Sequence, residues 1–144
     1  MKFTIIILSI ILAFALRLSA QNENMILGKW KTSDGTGIIQ IYKTSDGTFQ
    51  GKIIKAQPKE DKKGAMIDDK NPDPALRNRP IIGLVILKDF RYDGEIWKSG
   101  TIYDPGNGKD YSCKMWLEDK YTLKIRGYIG ISLFGRTEIW KRAD

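Results

Sequence analysis

From Gly28 to Arg142 the chain is a series of short segments of alternating polarity, cut by strong turn signals, with no amphipathic helical stretch. Alternation turns one face of a strand toward a core, and Asp-Gly or Pro-Gly between two such runs reverses the chain. The clearest case is residues 97–111, WKSGTIYDPGNGKDY. The strand-like run 95–103 meets Asp104-Pro105-Gly106-Asn107-Gly108-Lys109, and a second run, 111–117, follows at once. Proline presets one turn dihedral, and glycine and asparagine accept positive φ. A hairpin with an aromatic and polar tip is therefore predicted.

The same grammar recurs. Lys31-Thr32-Ser33-Asp34-Gly35-Thr36 returns as Lys43-Thr44-Ser45-Asp46-Gly47-Thr48. Two copies are too few for a solenoid and read as two successive hairpin turns. Ile26, Gly28 and Trp30 share one face of the first strand. Ile39 and Ile41 share one face of 37–42, and Phe49, Gly51 and Ile53 share one face of 49–56. Residues 81–88 read as an apolar strand and 90–94 as a turn. In 121–127, Tyr121, Leu123 and Ile125 alternate with Thr122, Lys124 and Arg126. A loop with apolar content, 128–135, precedes the last strand, 136–142.

Residues 57–80 break the pattern with dense charge and Pro58, Pro72, Pro74 and Pro80. They form one long loop, with a short helical turn expected around Pro74-Ala75-Leu76-Arg77. Long loops in small domains tend to serve function. The whole predicts an all-β, about eight-stranded antiparallel up-and-down barrel, because closure removes exposed edges. A sandwich is the alternative.

Ahead of this, Met1-Lys2 is followed by a run over 3–16 that is apolar apart from Thr4 and Ser9, then Arg17-Leu18-Ser19-Ala20. That is the layout of a secretory signal peptide, residues 1–20, with cleavage expected after Ala20. A membrane anchor is the competing reading, but the clean run is too short to span comfortably. The expectation is a single domain over 21–144, periplasmic or secreted, with no membrane span after cleavage. The first 20 residues carry Lys2 and Arg17 and no acid, so the net charge of the remainder falls from +7 to +5. The lysines are scattered along strands and turns, which suits a solvated surface that discourages edge pairing better than a nucleic-acid footprint.

The chain has no histidine and one cysteine, Cys113. The commonest general base, histidine triads and haem ligation drop out, and a zinc site is nearly excluded. No internal disulfide can form, and Cys113 reads as a buried core thiol. Asp69-Lys70-Asn71-Pro72-Asp73 resembles the start of a calcium loop, but proline stands where its glycine and final glutamate belong. Asx-type bonds in a proline-rich turn explain it better. No metal or cofactor is assigned, and no catalytic residue.

Gly28-x-Trp30 resembles the lipocalin and calycin signature. That resemblance implies a tryptophan near the barrel floor, packed against an arginine from the end of the last strand, Arg142 or, less aptly, Arg136. A fuller set is more specific: Gly28-x-Trp30, Asn71-Pro72, Arg79-Pro80, Gly83, Trp97-x-x-Gly100-x-Ile102-Tyr103-Asp104-Pro105, Gly108-Lys109-x-Tyr111, Leu123-x-Ile125-Arg126-Gly127-x-Ile129-Gly130 and Gly135-Arg136-Thr137-x-x-Trp140. It resembles the exported bacterial family known as domain of unknown function 2147, across residues 28–142. The likeness implies a calycin-like barrel and an envelope location, and it carries no activity. Mature lipocalins are usually longer, which weighs against a deep cavity.

The candidate ligand-binding residues are Trp30, Phe49, Trp97, Tyr103, Tyr111, Arg126 and Arg136. Tyrosine and tryptophan join a flat apolar face to a polar handle, and arginines bind anionic groups. Trp30, Phe49, Trp97, Trp116 and Trp140 either line a cavity or fill the barrel. The leading expectation is a non-enzymatic binding protein for a small apolar or amphipathic molecule, held between Trp30, Ile41, Phe49, Ile53, Cys113, Met115 and Leu123. The rivals are an envelope surface-interaction protein with a filled barrel, acting through Tyr103, Tyr111 and the basic face, and a histidine-free hydrolase using two carboxylates.

Overall fold

The computed structural model describes residues 6–13, 22–58 and 66–144. Residues 6–13 are helical. Arg17 and the expected cleavage point after Ala20 lie outside the described residues. Among the described residues no helix is long and apolar enough to cross a membrane.

Eight antiparallel strands close into a barrel in sequence order: β1 (Gly28–Lys31), β2 (Gly37–Lys43), β3 (Phe49–Ala56), β4 (Val85–Tyr92), β5 (Trp97–Asp104), β6 (Lys109–Asp119), β7 (Thr122–Tyr128) and β8 (Arg136–Arg142). Trp30 pairs with Arg142 and Lys31 with Lys141, which shuts the cylinder. Because every neighbour is antiparallel, successive connections alternate between the two ends. The turns after β1, β3, β5 and β7 lie at one end, the mouth. Those after β2, β4 and β6, with the entry to β1 and the exit from β8, lie at the other, the floor.

The repeated hexapeptide builds the same turn at opposite ends. Asp34 accepts from the Thr32 hydroxyl at 2.7 Å and the Thr36 amide at 3.0 Å. Asp46 accepts from the Thr44 hydroxyl and from the Thr48 amide at 3.1 Å. Gly35 and Gly47 take φ of 73° and 86°, which an L side chain rarely adopts. The Thr44 hydroxyl bond, first among several, holds the Asp46 carboxyl down at about 2.

Alternation fills the barrel's lower half with Trp30, Ile41, Phe49, Phe90, Trp97, Met115 and Leu123, all buried. The Arg142 guanidinium lies 4.2 Å from the Trp30 ring centroid and donates to the carbonyls of Met25, Leu27 and Lys120 at 2.6, 2.9 and 2.7 Å. Trp30 Nε1 donates to the Ile26 carbonyl at 2.8 Å. The arginine seal implied by the lipocalin-like signature is thus Arg142, with Arg136 at the opposite end of β8.

Several expectations are corrected. The strand expected over 81–88 begins at Val85, because Gly83 at φ 89° and the Leu84 amide, bonded to the Ile81 carbonyl, make a turn first. Phe90 and Tyr92 belong to β4, and the reversal falls later, where Asp93 accepts from the Glu95 and Ile96 amides. Tyr121 sits in a turn, 58% exposed, while Thr122 is buried, because the register shifts between Leu117 and Asp119. Trp116 is absent from the interior: Cys113 and Met115 point inward, so strand alternation turns Trp116 out.

Candidate functional site

A cavity of about 370 Å³ opens at the barrel mouth. Its wall is apolar, from Ile86, Ile102, Ile125 and Trp140, and its rim carries Asp104, Asn107, Tyr111, Arg136 and Glu138. The register explains the set. Ile102 pairs with Tyr111, Cys113 with Gly127 and Ile125 with Glu138, and paired residues share a face. Gly127 matters by what it lacks. A Cβ there would stand 3.5 Å from Ile102 and 3.6 Å from Tyr111, in space the cavity now occupies.

Polar groups at the rim are held in place. Glu138 accepts from Trp140 Nε1 at 3.2 Å and pairs with Arg136 at 3.5 Å. The Arg136 side chain is otherwise 86% exposed. Asn107 donates to the Tyr111 hydroxyl at 2.9 Å, which leaves the phenol's own proton for another acceptor. Asp104 accepts from the Gly106 amide at 2.8 Å and shapes the β5–β6 turn. Deeper in the barrel, burial first and Glu138 second push the Cys113 thiol up to about 12, so it stays protonated.

Beside the cavity the long loop is locked to β5. Asp68, fully buried, accepts from Tyr103 Oη at 2.6 Å, Asn71 Nδ2 at 2.8 Å and Arg79 Nε at 2.8 Å. Asn71 Oδ1 accepts from the Asp73 amide and Asp73 Oδ1 from the Ala75 amide, capping the 3₁₀ turn Pro74–Leu76. These are the Asx-type bonds expected in place of a calcium loop. Residues 59–65 of the expected 57–80 loop lie outside the described residues.

The seven candidate ligand residues do not come together. Tyr103, Tyr111 and Arg136 border the cavity. The Tyr103 hydroxyl, however, is taken by Asp68 and Asn71. Trp30, Phe49 and Trp97 fill the floor half, where Phe49 and Trp97 meet edge-to-face at 6.3 Å. Arg126 donates to the Ser132 and Leu133 carbonyls, outside the cavity. The expected enclosure between Trp30, Ile41, Phe49, Ile53, Cys113, Met115 and Leu123 is packed core, and the space lies nearer the mouth. Sequence reasoning missed Asn107, Gly127, Ile86 and Ile102 as lining residues. The step-of-two pattern Arg136, Glu138, Trp140 was the available signal for Glu138.

Residues 28–142 match the family described as "Uncharacterized protein conserved in bacteria (DUF2147)". Among solved structures, the chain is similar to protein HP1028 from Helicobacter pylori, described as belonging to the lipocalin family, with 26% identity, 83% of each chain covered and a TM-score of 0.71. No curated protein matches the chain.

Proposed function

Since the chain belongs to the DUF2147 family of bacterial proteins, we propose that it is an exported, non-enzymatic binding protein that holds one small amphipathic molecule in the barrel mouth. The observation that carries this is the cavity of about 370 Å³ with an apolar wall and a rim of Tyr111, Asn107, Arg136 and Glu138. Ligand sites are typically concave, mostly apolar and fitted with a few placed polar groups, and this volume lies near their small end, ~300 Å³. The apolar body of a ligand would lie against Ile102, Ile125 and Trp140, and its polar head would meet the rim. The description of the similar Helicobacter pylori protein as a lipocalin supports the reading. The absence of histidine and the engagement of Glu138 and Asp104 in structural bonds favour binding over catalysis. Export rests on the apolar run over 3–16.

Native mass spectrometry of protein purified from its bacterial host tests this. The expected result is a bound molecule of roughly a few hundred daltons, as fits a pocket of this class. It should be weakened or lost in Gly127→Leu, whose side chain would intrude on the cavity beside Ile102 and Tyr111, while the circular dichroism stays unchanged. An anilinonaphthalene sulfonate titration gives a second readout. No bound mass, together with equal dye binding by wild type and Gly127→Leu, would sink the proposal.

A further inference from the structure

Ile129, Ile131, Leu133 and Phe134 stand 70%, 58%, 74% and 77% exposed within six residues, between β7 and β8 at the mouth. Single exposed apolar residues are ordinary, whereas a cluster marks a contact surface. The loop is not loosely held. Arg126 donates to the Ser132 carbonyl at 2.6 Å and the Leu133 carbonyl at 3.1 Å, and Lys114 Nζ donates to the Ser132 hydroxyl at 3.2 Å. The Phe134 amide bonds the Ile131 carbonyl at 3.2 Å. Backbone groups already bonded within the protein are what a segment needs to leave water cheaply.

The outer barrel face beneath this loop continues its chemistry. Lys114, Arg126 and Thr137 are paired across β6, β7 and β8, as are Trp116, Lys124 and Ile139, and Tyr128 pairs with Ser112. Paired residues share a face. The acids of these strands are Asp110, Glu118, Asp119 and Glu138. Glu118 pairs with Lys124, and Glu138 faces the cavity beside Arg136. Among the described residues Lys114 and Arg126 have no carboxylate partner within salt-bridge distance.

We propose that the 128–135 loop and the adjoining β6–β7–β8 face dock on an anionic lipid bilayer. Apolar tips next to a face that carries lysine, arginine and tyrosine have the composition of an interfacial membrane contact. Arg136, Lys114 and Arg126 meet lipid phosphates while Ile129, Ile131, Leu133 and Phe134 enter the headgroup boundary. A second copy of the chain is a poorer occupant, since a twofold contact would set these cations against one another. The β5–β6 turn, which rims the cavity, shares this end of the barrel, so docking brings the cavity mouth to the lipid surface.

The test uses the full chain with Leu133→Cys carrying an environment-sensitive fluorophore, which reads the loop itself whatever the apolar run over 3–16 contributes. The natural Cys113 is buried and stays unlabelled. Vesicles of phosphatidylcholine with about one quarter phosphatidylglycerol are compared with phosphatidylcholine alone. The expected result is a blue shift and quenching by shallow doxyl-labelled lipid on the anionic vesicles, weakened by salt. Loop binding is scored from the fluorophore's blue shift in a vesicle titration, and sedimentation reports binding of the whole protein. Ile131→Ser with Phe134→Ser should lower loop binding about tenfold or more, and Lys114→Glu several-fold. Gly127→Leu should leave docking unchanged, which separates this proposal from the ligand reading. A fluorophore that stays in water while the protein sediments overturns it. So does a wild-type dimer that the loop substitutions dissociate without changing vesicle binding.

Discussion

The Tyr103 hydroxyl donates to Asp68 Oδ1 at 2.6 Å, joining the mouth end of β5 to a loop 35 residues earlier in the chain. Asp68 has no solvent exposure and also receives Asn71 and Arg79. A buried acceptor deprived of a donor costs about 1–3 kcal/mol. Tyr103→Phe should therefore lower unfolding stability by that amount in a urea titration, with the barrel still formed.

The same pair sets a pH dependence. Burial pushes the Asp68 carboxyl up, but the bonds from Tyr103, Asn71 and Arg79 outweigh it and hold the group below the ordinary carboxylate range. A depressed folded-state pKa contributes stability above the ordinary value of about 3.9, and that stability is lost as pH falls through the folded-state value. Tyr103 shows the opposite shift, pushed up to about 12 by burial and by Asp68. Its contribution is complete below the ordinary value of about 10 and lost as pH rises through the folded-state value. Urea midpoints at stepped pH should fall at both extremes, and Asp68→Asn should flatten the acid limb while Tyr103→Phe flattens the alkaline one.

At the floor, Arg142 combines a ring contact with three carbonyl acceptors. Arg142→Ala should cost about 2 kcal/mol in thermal or urea unfolding, since charged bonds partly open to water are worth less than buried ones. Lysine should recover only part of the loss, because it lacks the planar fork.

Gly108, at φ 74°, sits so close to the Lys70 carbonyl that a Cβ would overlap it. Gly108→Ala should prise the Asp68–Asn71 segment from the β5–β6 turn. Hydrogen exchange at the Asn71 and Arg79 amides should speed up by about tenfold or more, the amount ~1.4 kcal/mol of local opening supplies, while β7 amides stay protected.

Cys113 is buried and its thiol is pushed up to about 12. The folded protein at pH 8 should leave Ellman's reagent unreacted over hours, and the urea-unfolded chain should react at once. Prompt labelling of the native protein would show that the barrel opens near Gly127 and Glu138.

Much of this was legible in advance, for identifiable reasons. Asp-Gly turns and alternating faces placed β1 to β3 nearly to the residue. The hairpin at 97–111 forms as expected, because proline, glycine and asparagine fix a turn locally, but its strands run over Trp97–Asp104 and Lys109–Asp119 and leave a shorter turn than 104–109. The start of β4 and the facing of Tyr121 were misread where Gly83 and a register shift override the pattern. Asp68, Tyr103 and Arg79 gave no local sign of meeting, since their contact depends on how the long loop folds back.

What the residues fix on their own is local: strand period and turn chemistry, and with them about eight antiparallel strands, whereas closure of the sheet and the choice of Arg142 as the cap over Trp30 belong to the fold. Where the interior is solid and where it is hollow was left to the tertiary structure. Space inside a barrel depends on which side chains from strands far apart in sequence meet across it. Gly127, Ile102 and Trp140 border the space at the mouth, while Phe49, Trp97 and Met115 are buried in the core below it.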